Sequence, residues 1–221
     1  MFQKRIKTAM TGFILLVGCF FALVSTPVTA AESGKTTRVL VLGDSLTAGY
    51  GLGKEFAFPS ILQEKADAAG LKVQIINAGV SGDTTAGGVR RVNWMLRQPV
   101  DILVLALGAN DGLRGLSVDS SLANLQTIID QTKAKNPKVR LLIAGMKVPP
   151  NMGDDYSRKF EAMFVTLAEN NEAERIPFLL EGVGGRPELN LEDGIHPTKE
   201  GHRILADNVW RFLAPMLGVG T

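Results

Sequence analysis

Five short apolar runs punctuate the chain, over Arg38–Gly43, Val73–Ile76, Ile102–Leu107, Val139–Ala144 and Ile176–Leu180. Each is too short for an ordinary helix and rich in Val, Ile and Leu, as expected of strands in a buried parallel sheet. Between them, apolar residues recur at three- and four-residue steps, which predicts helices over Ala57–Ala69, Thr85–Gln98, Ser117–Asn136, Asp154–Asn171 and Thr198–Leu217. In the third of these, Leu122, Leu125, Ile128 and Ile129 share one face and Pro137 stops the helix. Strands alternate with helices throughout. The pattern therefore predicts an α/β protein, a three-layer α/β/α sandwich with a five-stranded parallel sheet and right-handed crossovers. In such sheets ligands bind beyond the carboxyl ends of the strands, so the residues just after each strand carry the functional information.

The N-terminus has a different pattern. Lys4, Arg5 and Lys7 precede an apolar run from Met10 to Val24, and Ser25-Thr26-Pro27-Val28-Thr29-Ala30 follows. Basic, apolar, then small residues is the order of a secretory signal peptide. The run is shorter than the roughly 20 residues a membrane span needs. Residues 1–30 are therefore expected to be a cleaved signal and 31–221 one globular domain. Lipid attachment at Cys19, after Leu16-Val17-Gly18, is the weaker alternative, because it would cut the apolar run very short.

Removing that segment changes the charge. It takes three of the 24 basic residues and none of the 22 acidic ones, turning a net charge of +2 into −1. The basic excess belongs to the targeting segment, and no reason remains to expect nucleic acid or anionic lipid as a partner. The single cysteine, Cys19, leaves with it, so the domain has neither a disulfide nor a thiol nucleophile. Only His196 and His202 are present, so a zinc site would need carboxylates for most of its ligands, and no metal or other cofactor is expected.

Four strings after strand ends hold candidate chemistry. Gly43-Asp44-Ser45-Leu46-Thr47-Ala48-Gly49 is a polar turn whose serine, taken alone, reads as a helix cap before it reads as a nucleophile. Asn77-Ala78-Gly79-Val80-Ser81-Gly82-Asp83 and Gly108-Ala109-Asn110-Asp111-Gly112 follow the second and third strands. A glycine lets a backbone N–H approach a ligand and an Asn amide is a neutral donor, so Gly79 and Asn110 suit a developing oxyanion, although both strings also read as ordinary turns. Asp193-Gly194-Ile195-His196 spaces a carboxylate three residues from an imidazole, close enough to orient it. His202 lies inside a helix pattern and reads as structural.

Together these strings resemble the sequence blocks of the SGNH hydrolases, also called GDSL esterases and lipases. Gly43-Asp44-Ser45-Leu46 looks like the first block, Gly79 the second, Gly108-Ala109-Asn110-Asp111 the third and Asp193 with His196 the last, in the family's order. The resemblance spans most of residues 31–221. It implies a flavodoxin-like sheet and a secreted or periplasmic serine esterase, monomeric and without a cofactor. The catalytic residues would be Ser45, His196 and Asp193, with Ser45, Gly79 and Asn110 forming the oxyanion hole. The substrates implied are aryl and alkyl esters, acyl-CoA thioesters and lysophospholipids.

Leu113 and Leu116 after the third strand, and Val148, Pro149 and Met152 after the fourth, are expected to border the crevice as an acyl groove. Two rival readings remain. A carbohydrate acetyl esterase would use the same catalytic residues but calls for an aromatic sugar platform, and only two Trp and two Tyr are present. A non-catalytic periplasmic binding protein is the other.

Overall fold

The sheet has the order β2-β1-β3-β4-β5, all neighbours parallel, in a computed structural model that describes Met1 and residues 34–220. The strands are β1 Thr37–Gly43, β2 Val73–Gly79, β3 Ile102–Ala106, β4 Arg140–Ala144 and β5 Glu174–Ile176. The helices are α1 Ser45–Ala48, α2 Phe58–Ala68, α3 Thr85–Met95, α4 Ala109–Leu113, α5 Val118–Lys135, α6 Asp154–Asn171 and α7 Lys199–Met216. Lys35–Thr221 forms one compact unit. The expected signal segment and Cys19 lie outside the described residues.

The expected α/β sandwich is present. Packing of α3 on α5 and α5 on α6 makes one helical layer, and α2 on α7 the other. Val39–Leu42, Ile102–Leu107 and Leu141–Ala144 are buried between them, and the rings of Phe160 and Phe164 on α6 meet edge to face, 5.4 Å apart. The order places the switch point between β1 and β3, where successive crossovers leave in opposite directions along the sheet.

Several boundaries moved for identifiable reasons. The strand expected over Val73–Ile76 continues to Gly79, because Asn77, Ala78 and Gly79 keep pairing with Val41, Leu42 and Gly43. It is also an edge strand and only half buried, unlike the interior β1 and β3. The strand expected over Ile176–Leu180 instead ends at Ile176, where Pro177 has no N–H to give the ladder. Ser117 and Thr198, read as helical, are N-caps whose hydroxyls accept the N–H of Ser120 and Gly201. The turns expected after β1 and β3 are the short helices α1 and α4.

His202 is structural, as its place in the helix pattern implied. It is 1% exposed on α7, and its Nδ1 accepts the Phe58 N–H at the start of α2, 3.3 Å away. Burial holds its pKa down, to about 4 from 6.5, with the charge of His196 a smaller cause. The folded state therefore binds this proton less readily than the unfolded chain. Stability from this group is complete above pH 6.5 and is lost as the pH falls from 6.5 towards 4. Urea unfolding of the wild type and His202→Gln across pH 4–7 should show a shallower acid-side loss in the variant.

Candidate active site

Gly43 ends β1, and the chain turns at once into α1, with Asp44 as N-cap and Ser45 as first helical residue. The Asp44 carboxylate accepts the Leu46 N–H at 3.0 Å. Asp44 is fully buried, and that burial pushes its pKa up to about 6 against the lowering effect of the Leu46 N–H. Ser45 stands where the first helical turn leaves its N–H without an intrahelical acceptor, and among the described residues that N–H has no other partner.

The histidine arrives from the far end of the sequence. The loop carrying it is tied down by Asn190, whose amide donates to the carbonyls of Val183 and Arg186, and by the Leu191 N–H donating to the His196 carbonyl at 2.7 Å. His196 Nε2 lies 2.9 Å from Ser45 Oγ, and its Nδ1 lies 2.7 Å from Asp193 Oδ2. The other Asp193 oxygen accepts the N–H groups of Ile195 and His196, each at 3.0 Å. The His196 hydrogen bond and then these two amides hold the Asp193 carboxyl down, at about 2. A carboxylate at Nδ1 selects the tautomer with the proton there, leaving Nε2 to accept from the serine. The Tyr50 ring covers the imidazole at 4.4 Å between centroids.

Asn110, on α4 after β3, joins this group. Its Nδ2 donates to the Asp83 carbonyl at 2.9 Å and makes a longer, 3.4 Å contact with Asp44. Next to it, Asp111 is buried and accepts from the Thr85 N–H, the Thr85 hydroxyl and the Ser121 hydroxyl, fastening α4 to α3 and α5.

Gly79 has a different position from the one expected. Its N–H donates to Asn77 Oδ1 at 2.9 Å, and it does not line the cavity at Ser45. A Cβ there would lie 2.2 Å from the Ala48 nitrogen, so the residue is glycine because α1 packs on it. The glycine on the cavity wall is Gly82, three residues later, with a left-handed φ of 77° and an N–H that has no acceptor among the described residues. Its signal in the sequence was its place beside Asp83, just ahead of the α3 cap Thr84.

A cavity of about 680 Å³ opens on Ser45 and His196. Leu113, Val148 and Pro149 lie on its wall as expected, whereas Leu116 and Met152 do not. Tyr50, Phe178, Leu180 and Ile195 are also on the wall, and none of them stands out in the sequence as a lining residue. A second hollow, of about 620 Å³, lies at the amino ends of β4 and β5 and has no serine or histidine in its wall. Among the described residues no cluster of three His, Cys, Asp or Glu side chains is placed to hold a metal, and no helix is long and apolar enough to cross a membrane.

The model of the GDSL-like lipase/acylhydrolase family matches residues 41–204. The chain belongs to this family. It is similar to the esterase TesA of Pseudomonas aeruginosa, 36% identical over 92% of this chain and 98% of that one. It is also similar to the Escherichia coli K12 protein named thioesterase 1/protease 1/lysophospholipase L1, 33% identical over 90% and 91% of the two chains. The crystal structure of the psychrotrophic esterase EstA from Pseudoalteromonas sp., inhibited by monoethylphosphonate, superposes with a TM-score of 0.77 at 32% identity, covering 82% of this chain and 99% of that one. The chain is thus a carboxylic ester hydrolase with the SGNH hydrolase fold.

The Asp111 network makes a separate demand on stability. Asp111→Ala strands the Thr85 hydroxyl and the Thr85 amide in the interior, while the Ser121 hydroxyl keeps the Ser117 carbonyl, each unmet donor costing about 1–3 kcal/mol. Chemical denaturation should show the variant destabilised by at least about 2 kcal/mol.

Proposed function

We propose that the enzyme hydrolyses acyl esters and thioesters through a covalent acyl-enzyme on Ser45. The carrying observation is the unbroken relay from Asp193 Oδ2 to His196 Nδ1 at 2.7 Å and from His196 Nε2 to Ser45 Oγ at 2.9 Å, at the floor of the apolar cavity. Ser45 Oγ attacks the substrate carbonyl as His196 takes its proton, and Asp193 stabilises the imidazolium that forms. The imidazolium then protonates the leaving alcohol or thiol. Water, deprotonated by His196, attacks the acyl-enzyme and releases the acid.

The tetrahedral oxyanion is held by the Ser45 N–H, the Gly82 N–H and the Asn110 amide. Gly82 takes the place expected of Gly79, because Gly82 lies on the cavity wall and the Gly79 N–H is engaged by Asn77. The Asp83 carbonyl holds one Asn110 proton and so orients that amide before substrate arrives. Preorganised donors of this kind lower the barrier because no reorganisation accompanies the reaction.

The cavity favours acyl groups with apolar surface, namely aryl and alkyl esters, fatty acyl thioesters and lysophospholipids. Leu113, Val148, Pro149, Phe178 and Ile195 form that surface, and the names of the similar TesA and thioesterase 1/lysophospholipase L1 proteins support it. Residues 1–30 act as a cleaved signal, and the enzyme works in the periplasm or outside the cell, a reading supported by the basic, apolar and small segments in that order.

Ser45→Ala should abolish both hydrolysis of nitrophenyl esters and labelling by a fluorophosphonate probe while leaving the melting temperature unchanged. Retained turnover would remove Ser45 from the mechanism. Asn110→Ala should lower kcat by about 10²–10³ through loss of one oxyanion donor. Across nitrophenyl esters, acyl-CoA and lysophospholipid of increasing chain length, kcat/KM should rise with apolar acyl surface, and an acetylated sugar should be the poorest substrate.

A further inference from the structure

Arg91 on α3 makes three hydrogen bonds with one guanidinium. Nε donates to Asp83 Oδ2 at 2.6 Å, Nη1 to the Ala78 carbonyl at 2.7 Å and Nη2 to the Gly43 carbonyl at 2.8 Å. These acceptors belong to two stretches of chain, the end of β1 and the segment that runs from the end of β2 to Asp83. Gly43 is the last residue of β1, one residue ahead of Asp44 and two ahead of Ser45. Ala78 is the penultimate residue of β2. Asp83 follows Gly82 directly, and its carbonyl holds the Asn110 amide. A single planar cation therefore joins the backbone that leads into Ser45, the segment that carries Gly82 and, through Asp83, the side chain of Asn110.

The pair is well shielded, with side-chain exposures of 17% for Arg91 and 10% for Asp83. Gly87 lies midway between them in sequence, four residues from each, so the three positions share a face of the chain entering and following α3. A Cβ on Gly87 would stand 1.6 Å from Asp83 Oδ1 and 2.7 Å from its Cγ. Glycine inside a helix is less stable than alanine, and here it clears the space that the Asp83 carboxylate occupies against Arg91. Arg91 itself does not line the cavity.

We propose that Arg91 is a positioning residue for ester hydrolysis, fixing the separation of the Ser45 and Gly82 amides and the Asn110 side chain so that all three converge on one oxygen. The inference rests on the assignment of those groups as the oxyanion donors. Because Arg91 touches no substrate, its loss acts on the transition state and not on ground-state binding, which separates kcat from KM. Lysine does not replace it, since one ammonium nitrogen does not reproduce a planar fork spanning three acceptors.

The test compares Arg91→Ala, Arg91→Lys, Gly87→Ala and a control, Arg90→Ala at the exposed neighbouring position, using nitrophenyl butyrate kinetics and circular dichroism at the assay temperature. Arg91→Ala and Arg91→Lys should lose about 100-fold in kcat, the size of one oxyanion donor, with KM changed by less than about threefold. Gly87→Ala, which leaves Arg91 in place but displaces Asp83, should lose about tenfold in kcat while folded. Low millimolar guanidinium should restore part of the activity of Arg91→Ala and none of that of Arg91→Lys, and Arg90→Ala should match the wild type.

Wild-type kcat in folded Arg91→Lys and Gly87→Ala overturns the proposal, as does a rise in KM at constant kcat. If Arg91→Ala does not fold, those two variants decide the matter. Failure of the underlying assignment shows elsewhere, as turnover by Ser45→Ala.

Discussion

At the carboxyl end of the sheet β1 and β2 finish side by side, Gly43 paired with Gly79, and α1 folds back across both. Neither position has room for a side chain. A Cβ on Gly43 would lie 1.9 Å from Thr47 Oγ1, and one on Gly79 would lie 2.2 Å from the Ala48 nitrogen. That close approach lets the chain leave a buried strand and place Ser45 at a helix start, with its hydroxyl towards the cavity and its N–H unpaired. If the strand ends were further apart, α1 would ride higher, and the loops from β2 and β3 would no longer reach the same point. The glycines trade backbone freedom in the unfolded chain for this proximity.

Two carboxylates flank the serine in opposite electrostatic surroundings. Asp44 is buried, pushed up to about 6 by desolvation, and holds the start of α1 through the Leu46 N–H. Asp193 is held down at about 2 by the His196 hydrogen bond and two backbone amides, although it lies near solvent. An ionised Asp193 is what a histidine base requires, because its charge stabilises the imidazolium formed during proton transfer. Asp44 serves geometry, and keeping it ionised at neutral pH works against stability because its folded pKa is raised. The site thus uses one acid for charge and the other for shape, set by solvent access and amide donors.

The loops around these groups supply what the strands do not. Asn190 anchors the histidine loop through two backbone carbonyls, Asp111 ties α4 to its neighbours, and Arg91 ties the ends of β1 and β2 to Asp83. Each is a polar side chain satisfied by groups from a different segment, which makes the site dependent on the whole fold and not on any one loop. The apolar wall is assembled the same way, from Leu113, Val148 and Phe178 after three different strands.

The sandwich is legible in the sequence, because runs such as Ile102–Leu107 and the three- and four-residue spacing in Ser117–Asn136 are local patterns that burial and helix geometry impose directly. It also pointed to the strand ends and to Ser45, Asn110, Asp193 and His196, which the fold brings together, since the residue types suited to nucleophile, donor and base are few and each stands in its own turn. It did not separate Gly79 from Gly82. Both are glycines in one string after β2, and only the continued pairing of β2 through Gly79, the packing of α1 on it and the capture of its N–H by Asn77 tell them apart. Nor did it reveal Arg91, whose partners Gly43 and Ala78 are 48 and 13 residues away, or the absence of Leu116 and Met152 from the cavity wall. Local pattern is written in neighbouring residues, whereas convergence on one point depends on how segments distant in sequence pack together in the folded chain.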